Sequence, residues 1–109
     1  MDIVITGANG FVGSQLTRLF EAQGHQLLLA ARGDMQIASA TVSIGDIATF
    51  DNWEACLSGV DTVIHLAARV HQMGEQSDQV ALNYQRTNVD ATVRLAQAAV
   101  KFCQKAGPL

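Results

Sequence analysis

Ile3-Val4-Ile5-Thr6-Gly7-Ala8-Asn9-Gly10-Phe11-Val12-Gly13 is the stretch whose reading decides the fold. Three β-formers run straight into three glycines spaced three apart, and a helical apolar pattern begins before the last glycine is passed. The pattern predicts a strand, a tight turn and a helix N-terminus. Gly7 suits the backbone angles of a sharp turn, Gly10 lets a diphosphate approach bare backbone, and Gly13 lets the helix press on the strand. The N–H groups of the first helical turn and the positive end of the helix dipole then face whatever anion sits there. A dinucleotide pyrophosphate meets those demands, with Asn9, Phe11 and Val12 completing the loop around it. An ordinary strand-to-helix turn would carry the same glycines, but the strand before, the helix after and a second strand at the right distance favour the dinucleotide.

Outward from that turn, Leu16, Leu19 and Phe20 recur at helical spacing, with Arg18 and Glu21 on the other side. The helix runs to about residue 23, Gly24 stops it, and His25 is read as an exposed turn residue without a chemical role. Residues 27–31 are apolar and too few for a helix, so they are read as a buried parallel strand ending at Arg32. The residue at that tip meets the adenosine ribose. A carboxylate there would bond the 2′-hydroxyl of NAD, whereas an arginine pairs with the 2′-phosphate of NADP. Arg32 therefore favours NADP, the alternative being a solvated arginine at a loop start. Residues 41–44 form a short third strand leading to Gly45-Asp46-Ile47, where a carboxylate can accept the adenine amino N–H. Asp46 is the candidate; its alternative role is a helix or turn cap. Phe50, Trp53 and Leu57 share a helical face closed by Gly59, with Trp53 as packing. Residues 60–68, Val-Asp-Thr-Val-Ile-His-Leu-Ala-Ala, are a fourth buried strand followed by small residues that let a cofactor approach the backbone.

The chain of 109 residues is one domain, 49% hydrophobic and 16% charged, a globular rather than a disordered composition. A net charge of −3 provides no basic surface for nucleic acid. Neither a signal-peptide pattern nor an apolar run of membrane-spanning length is present, so the expectation is a cytoplasmic protein without membrane contact. Cys56 and Cys103 stand apart, with no cluster around either that would suggest a metal or a disulfide, and are read as small core residues.

Four motifs in order, Thr6-Gly7-x-x-Gly-x-x-Gly13, Gly45-Asp46-Ile47, Asp61-x-Val63-Ile64-His65-Leu66-Ala67-Ala68 and Asn88-Val89-x-x-Thr92, resemble the extended short-chain dehydrogenase/reductase superfamily. Within it the chain is most similar to the NAD-dependent epimerase/dehydratase group that includes the UDP-glucose 4-epimerases, over nearly its whole length. The resemblance implies that the first motif binds pyrophosphate and that Asp46, with the backbone of Ile47, contacts adenine. It further implies that Leu66, Ala67 and Ala68 line the nicotinamide-side ribose and that Asn88 shapes the long helix near the active site. His65 is read as structural, while Arg69 and His71 are possible contacts to substrate or cofactor. The expected cofactor is NAD or NADP.

Residues 72–79 are polar with Gly74 and read as a loop beside the cleft. From Val80 a helix is predicted to Lys105, ended by Gly107-Pro108. Tyr84, Ala91, Leu95, Ala98 and Phe102 share one face, and Leu82, Val89, Val93, Ala96 and Val100 nearly the opposite one. Two apolar stripes must be covered twice. In the family resembled, the corresponding helix packs between subunits.

The same resemblance implies a catalytic Ser or Thr with a Tyr-x-x-x-Lys pair beyond a fifth strand. Here Tyr84 is the one tyrosine and Asn88 stands four residues later, so no catalytic residue is assigned. The expected fold is α/β: a Rossmann-like doubly wound parallel sheet in strand order 3-2-1-4, truncated after the fourth strand and the long helix. Residues 1–109 are thus read as the N-terminal portion of an NAD(P)-binding domain, lacking the catalytic and substrate region. Nucleotide sugar is implied as a partner only where that region is present. Self-association is expected through the long helix or the open edge of the fourth strand. Three readings stay open: the cofactor-binding portion of a nucleotide-sugar epimerase or dehydratase, binding without turnover; a standalone NAD(P)-binding regulatory module; and a structural remnant that self-associates without ligand.

Overall fold

The computed structural model describes residues 1–32, 40–68 and 78–103. The readings of Arg69, His71, most of the loop at 72–79 and the helix stop at 107–108 fall outside them. Among the described residues the order is β1 (Asp2–Thr6), α1 (Phe11–Ala22), β2 (Gln26–Ala31), β3 (Ala40–Ser43), α2 (Trp53–Leu57), β4 (Thr62–His65), α3 (Asp78–Tyr84), a π-helical segment (Gln85–Asp90) and α4 (Ala91–Phe102). The strands form a parallel sheet in the order β3-β2-β1-β4. Asp2 to Thr6 lie opposite Gln26 to Ala30, and Ile3 to Thr6 lie opposite Thr62 to His65. This is the expected Rossmann-like doubly wound sheet, with β3 and β4 at its edges.

Alternation along the strands divides the core in two, because successive side chains point to opposite faces. Val4 and Ala30 pack with Trp53, Cys56 and Leu57 of α2 and with Ala91 and Leu95 of α4. Ile3, Ile5, Leu27 and Leu29 form the second core with Ala8 and the half-buried Phe20 of α1. Helices therefore cover both faces, and the central strands read as unbroken apolar runs for that reason.

α1 sits on its face through small residues. Gly13 and Thr17 are its buried positions, and the Thr17 hydroxyl donates to the Gly13 carbonyl at 2.8 Å, which lets a polar side chain be buried without loss. Leu19, expected on the apolar face, is half exposed instead. A Cβ on Gly13 would stand 2.3 Å from the Gly7 carbonyl oxygen. At its other end α1 closes in a Schellman motif: Gly24, at φ +83°, donates its N–H to Glu21 O at 3.0 Å, and His25 N–H reaches Phe20 O at 3.1 Å. His25 is consequently not an exposed turn residue. It is half-buried edge-on against Phe20, with ring centroids 5.6 Å apart, the apolar contact that accompanies this cap.

Two helices differ from their expected extents. α2 begins at Trp53 rather than Phe50, because residues 46–50 form a hydrogen-bonded turn; Phe50 stacks edge-on to Trp53 at 4.7 Å from outside the helix. The long helix is interrupted by the π-helical segment and ends at Phe102, where Cys103 turns extended at ψ 154°. Within α4 the first stripe is as read, with Ala91 and Leu95 buried and Ala98 and Phe102 packed on the core, while Leu82, Val89, Val93 and Val100 of the second are exposed; Tyr84, read on the first stripe, lies before the π-helical segment and is not among the described core residues. Cys56 is buried and Cys103 half-buried, both as free thiols in the apolar core, and burial pushes both thiols up from their ordinary value.

Replacing glycine by alanine inside a helix ordinarily stabilises by ~0.5–1 kcal/mol. Gly13→Ala is expected to have the opposite sign and to cost about 1–3 kcal/mol, since its methyl meets backbone that cannot move aside. Thermal or urea denaturation checks this, and a stabilised variant would remove the close approach of α1 to the β1 turn.

Candidate functional site: a cleft at the ends of the strands

A cleft of about 550 Å³ opens at the carboxyl ends of the strands. Its walls are Gly7, Asn9 and Gly10 from the turn after β1, Ala30 to Arg32 at the end of β2, residues 44–47 after β3, residues 66–68 after β4, and Thr87. Open α/β sheets bind ligands in such a crevice.

The first wall is built from what glycine lacks. Gly7 has φ +69°, and a Cβ there would lie 2.6 Å from Ala67 N and 2.8 Å from the Leu66 carbonyl carbon. The end of β1 and the end of β4 therefore touch backbone to backbone. Gly10 is the N-cap of α1, donates its N–H to Gly7 O at 3.0 Å, and supplies no side-chain cap. The first turn of α1 also has no acidic residue, so the amides of Phe11, Val12 and Gly13 and the positive helix end have no anion from the helix itself. The side chains of Phe11 and Val12 point to solvent and Gly13 is buried beneath the turn, so these three contribute backbone rather than lining.

Behind that wall lies a polar chain. The buried Thr6 hydroxyl oxygen accepts the N–H groups of Leu66 at 3.1 Å and Ala67 at 3.2 Å. With its lone pairs so engaged, its proton goes to His65 Nδ1 at 2.6 Å. His65 must then carry its own proton on Nε2, which donates to Thr92 Oγ1 at 2.9 Å, and the Thr92 hydroxyl donates to the Asn88 carbonyl at 3.1 Å. This neutral tautomer agrees with burial, which lowers the His65 pKa. The histidine is structural, as read from sequence, and it ties the cleft wall at 66–67 to α4.

Arg32 stands exposed at the end of β2, on the wall of the cleft. Asp46 is exposed on the same wall, and its Oδ1 accepts the Ala48 N–H at 2.9 Å. Its alternative role as a turn cap is thus real, and it is filled while the residue still lines the cleft. Asn88 lies in the π-helical segment and does not line the cleft; its neighbour Thr87 does. Thr87 carried no signal in sequence, because the π-helical turn shifts the helical phase on which facing was judged. Ala30 and Ala31 did carry one, being small residues at a strand end like Ala67 and Ala68. Tyr84 is off the cleft. Among the described residues no group of three His, Cys, Asp or Glu could hold a metal, and no helix is long and apolar enough to cross a membrane.

Residues 3–106 match the model of the NAD dependent epimerase/dehydratase family. The chain belongs to this family. It is 28% identical over 100 residues to UDP-glucose 4-epimerase of Vibrio cholerae, covering 90% of this chain and 30% of the relative. It is 30% identical over 115 residues to a 3 beta-hydroxysteroid dehydrogenase/Delta 5-->4-isomerase of Mycobacterium tuberculosis, covering 96% of this chain and 29% of that one. The structure resembles that of MoeE5 in complex with UDP-glucose and NAD, with 33% identity and a TM-score of 0.77, over 93% of this chain and 33% of MoeE5. The chain thus spans about 30% of the length of these relatives.

Protonating His65 would replace its acceptor Nδ1 by a donor facing the Thr6 hydroxyl. Because its pKa is lowered in the folded state from the ordinary 6.5, the unfolded chain binds the proton more readily. The contribution of this chain of bonds is fully present above pH 6.5 and is lost as pH falls through the lower folded value. Melting temperature should fall across that window, and His65→Gln should flatten that part of the profile; an equal slope in both proteins would separate His65 from the effect.

Proposed function

We propose that the chain binds NAD or NADP in this cleft as the cofactor-binding portion, N-terminal in the domain, of a nucleotide-sugar epimerase or dehydratase. The observation that carries the reading is an α1 N-terminus without a side-chain cap opening on a cleft that also presents Arg32 and the Asp46–Ile47 turn. The pyrophosphate lies against the backbone of Gly7, Gly10 and the first turn of α1, where a Cβ at Gly10 would stand in its place. The adenosine extends towards Arg32, Asp46 and Ile47, and the nicotinamide half towards Leu66, Ala67, Ala68 and the Asn88 region. When bound, the nicotinamide accepts and returns a hydride. The residues of this chain bind and orient it and keep water off its buried side.

Nucleotide sugar as the substrate is supported by the similarity to UDP-glucose 4-epimerase and to MoeE5 with UDP-glucose. The chain by itself binds without turnover in this proposal, since Asn88 stands where the Tyr-x-x-x-Lys pattern from Tyr84 would need lysine. Arg32 favours NADP. The exposed Leu82, Val89, Val93 and Val100 support self-association through the long helix, and the same proposal places the protein in the cytoplasm.

Calorimetric titration of the purified chain with NADH and NADPH tests the reading. Binding of either is expected, and Gly10→Val, whose Cβ would meet the Gly7 carbonyl oxygen at 3.3 Å, should abolish it with little loss of fold stability. A folded chain that binds neither dinucleotide would refute it in favour of the structural remnant. Arg32→Asp should weaken NADPH by roughly 10- to 100-fold while sparing NADH, as expected for a charge-assisted bond to the 2′-phosphate. Equal effects on both would return Arg32 to the solvated surface.

A further inference from the structure

The turn at residues 46–50 is held together internally. Asp46 O accepts the N–H groups of Thr49 at 3.0 Å and Phe50 at 3.1 Å, and Asp46 Oδ1 accepts that of Ala48. Because the peptide unit is planar and trans, engaging the Asp46 carbonyl carries the Ile47 N–H on the opposite edge. Among the described residues the Ile47 N–H meets no acceptor, and Ile47 lines the cleft. The turn therefore presents one donor, the Ile47 amide, beside one acceptor, the Asp46 carboxylate. That pair matches the N1 acceptor and the amino donor on the edge of adenine.

Internal bonds fix the shape of this turn but not its place. Beside the cleft a second hollow of about 450 Å³ is walled by Asp46, Ala48, Thr49, Thr87 and Arg94 among others. Asp46 borders both. The buried Ile47 side chain anchors the turn to the core. Its carbonyl side is held from α4: Arg94 Nη2 donates to Ile47 O at 3.4 Å and to Ala48 O. A guanidinium suits this work, being always charged, rigid and donor-only, so it can meet two adjacent carbonyls at once.

We propose that Arg94 is a positioning residue for cofactor specificity, setting the Asp46–Ile47 turn at the height where its donor and acceptor read the adenine edge. This rests on the dinucleotide reading of the cleft. Arg94 touches no cofactor itself. Without it, the turn keeps its internal bonds and its Ile47 anchor but the carbonyls of Ile47 and Ala48 lose their tether, so base reading is lost before fold stability.

The test titrates the chain and Arg94→Met with NAD and with nicotinamide hypoxanthine dinucleotide, with melting temperatures recorded on the same samples. Hypoxanthine places an acceptor against Asp46 and a donor against Ile47 N–H, so the unmodified chain should prefer NAD by roughly tenfold or more. Arg94→Met is expected to lose roughly tenfold for NAD and about twofold or less for the hypoxanthine analogue, collapsing the preference. Its melting point should stay close to that of the unmodified chain, since Arg94 is exposed. Unchanged preference, or equal losses for both dinucleotides, overturns the role of Arg94. An unmodified chain that binds neither dinucleotide instead overturns the cleft reading itself. If Arg94→Met fails to fold, Arg94→Gln, neutral and shorter, is read against the same outcomes.

Discussion

Three backbones meet at Gly7, and the geometry of the cleft depends on that meeting. The end of β4 passes so close that a methyl group on Gly7 would overlap the Ala67 amide, and the first turn of α1 lies so close that one on Gly13 would overlap the Gly7 carbonyl. With no side chains between them, the floor of the cleft is peptide groups. Peptide N–H groups at a helix start present fixed partial charge to an anion and need no reorganisation to do so. A side chain at either glycine would separate the elements by an atom's diameter and remove that property.

The interrupted helix from Asp78 to Phe102 braces the cleft from behind. Thr92 reaches the cleft wall at residues 66–67 through His65 and Thr6, whereas Arg94 reaches the turn after β3. Both braces are polar. Apolar contacts hold Ala91 and Leu95 against the sheet but are non-directional, whereas hydrogen bonds fix the orientation of the peptide groups that line a site. The π-helical segment between the two halves reconciles these demands, since its wider turn lets Thr87 line the cleft while Ala91 and Leu95 keep their places in the core.

Family membership is shown over nearly the whole chain, which nevertheless spans only about 30% of its relatives' length. The cleft residues come from the turn that follows β1, the ends of β2, β3 and β4, and Thr87 of the π-helical segment, all within a chain spanning about 30% of the relatives' length.

Local chemistry was enough to place the strands and most of the cleft, while their parallel order 3-2-1-4 followed from the rules of a doubly wound sheet. Runs such as residues 3–6 and 27–31 are apolar on both faces because helices cover both, and glycine at Gly7, Gly10 and Gly13 marks a turn whatever the remainder of the chain does. Gly7, Asn9, Gly10, Arg32, Asp46, Ile47 and the residues at 66–68 all reach the cleft wall, each being placed by its position at the end of a strand. Side-chain facing within the helices was less legible. Thr17 is buried in preference to Leu19 because its hydroxyl is satisfied within the helix, and Thr87 replaces Asn88 because a π-helical turn resets the phase that periodicity assumes. Arg94 was beyond sequence reading altogether: an exposed arginine on a polar helix face looks solvated until the fold brings two carbonyls from residues 47 and 48 beneath it. Periodicity and turn chemistry act between neighbours along the chain, and so were readable from it. Contacts between groups some forty-six residues apart exist only once the sheet and its helices have closed together.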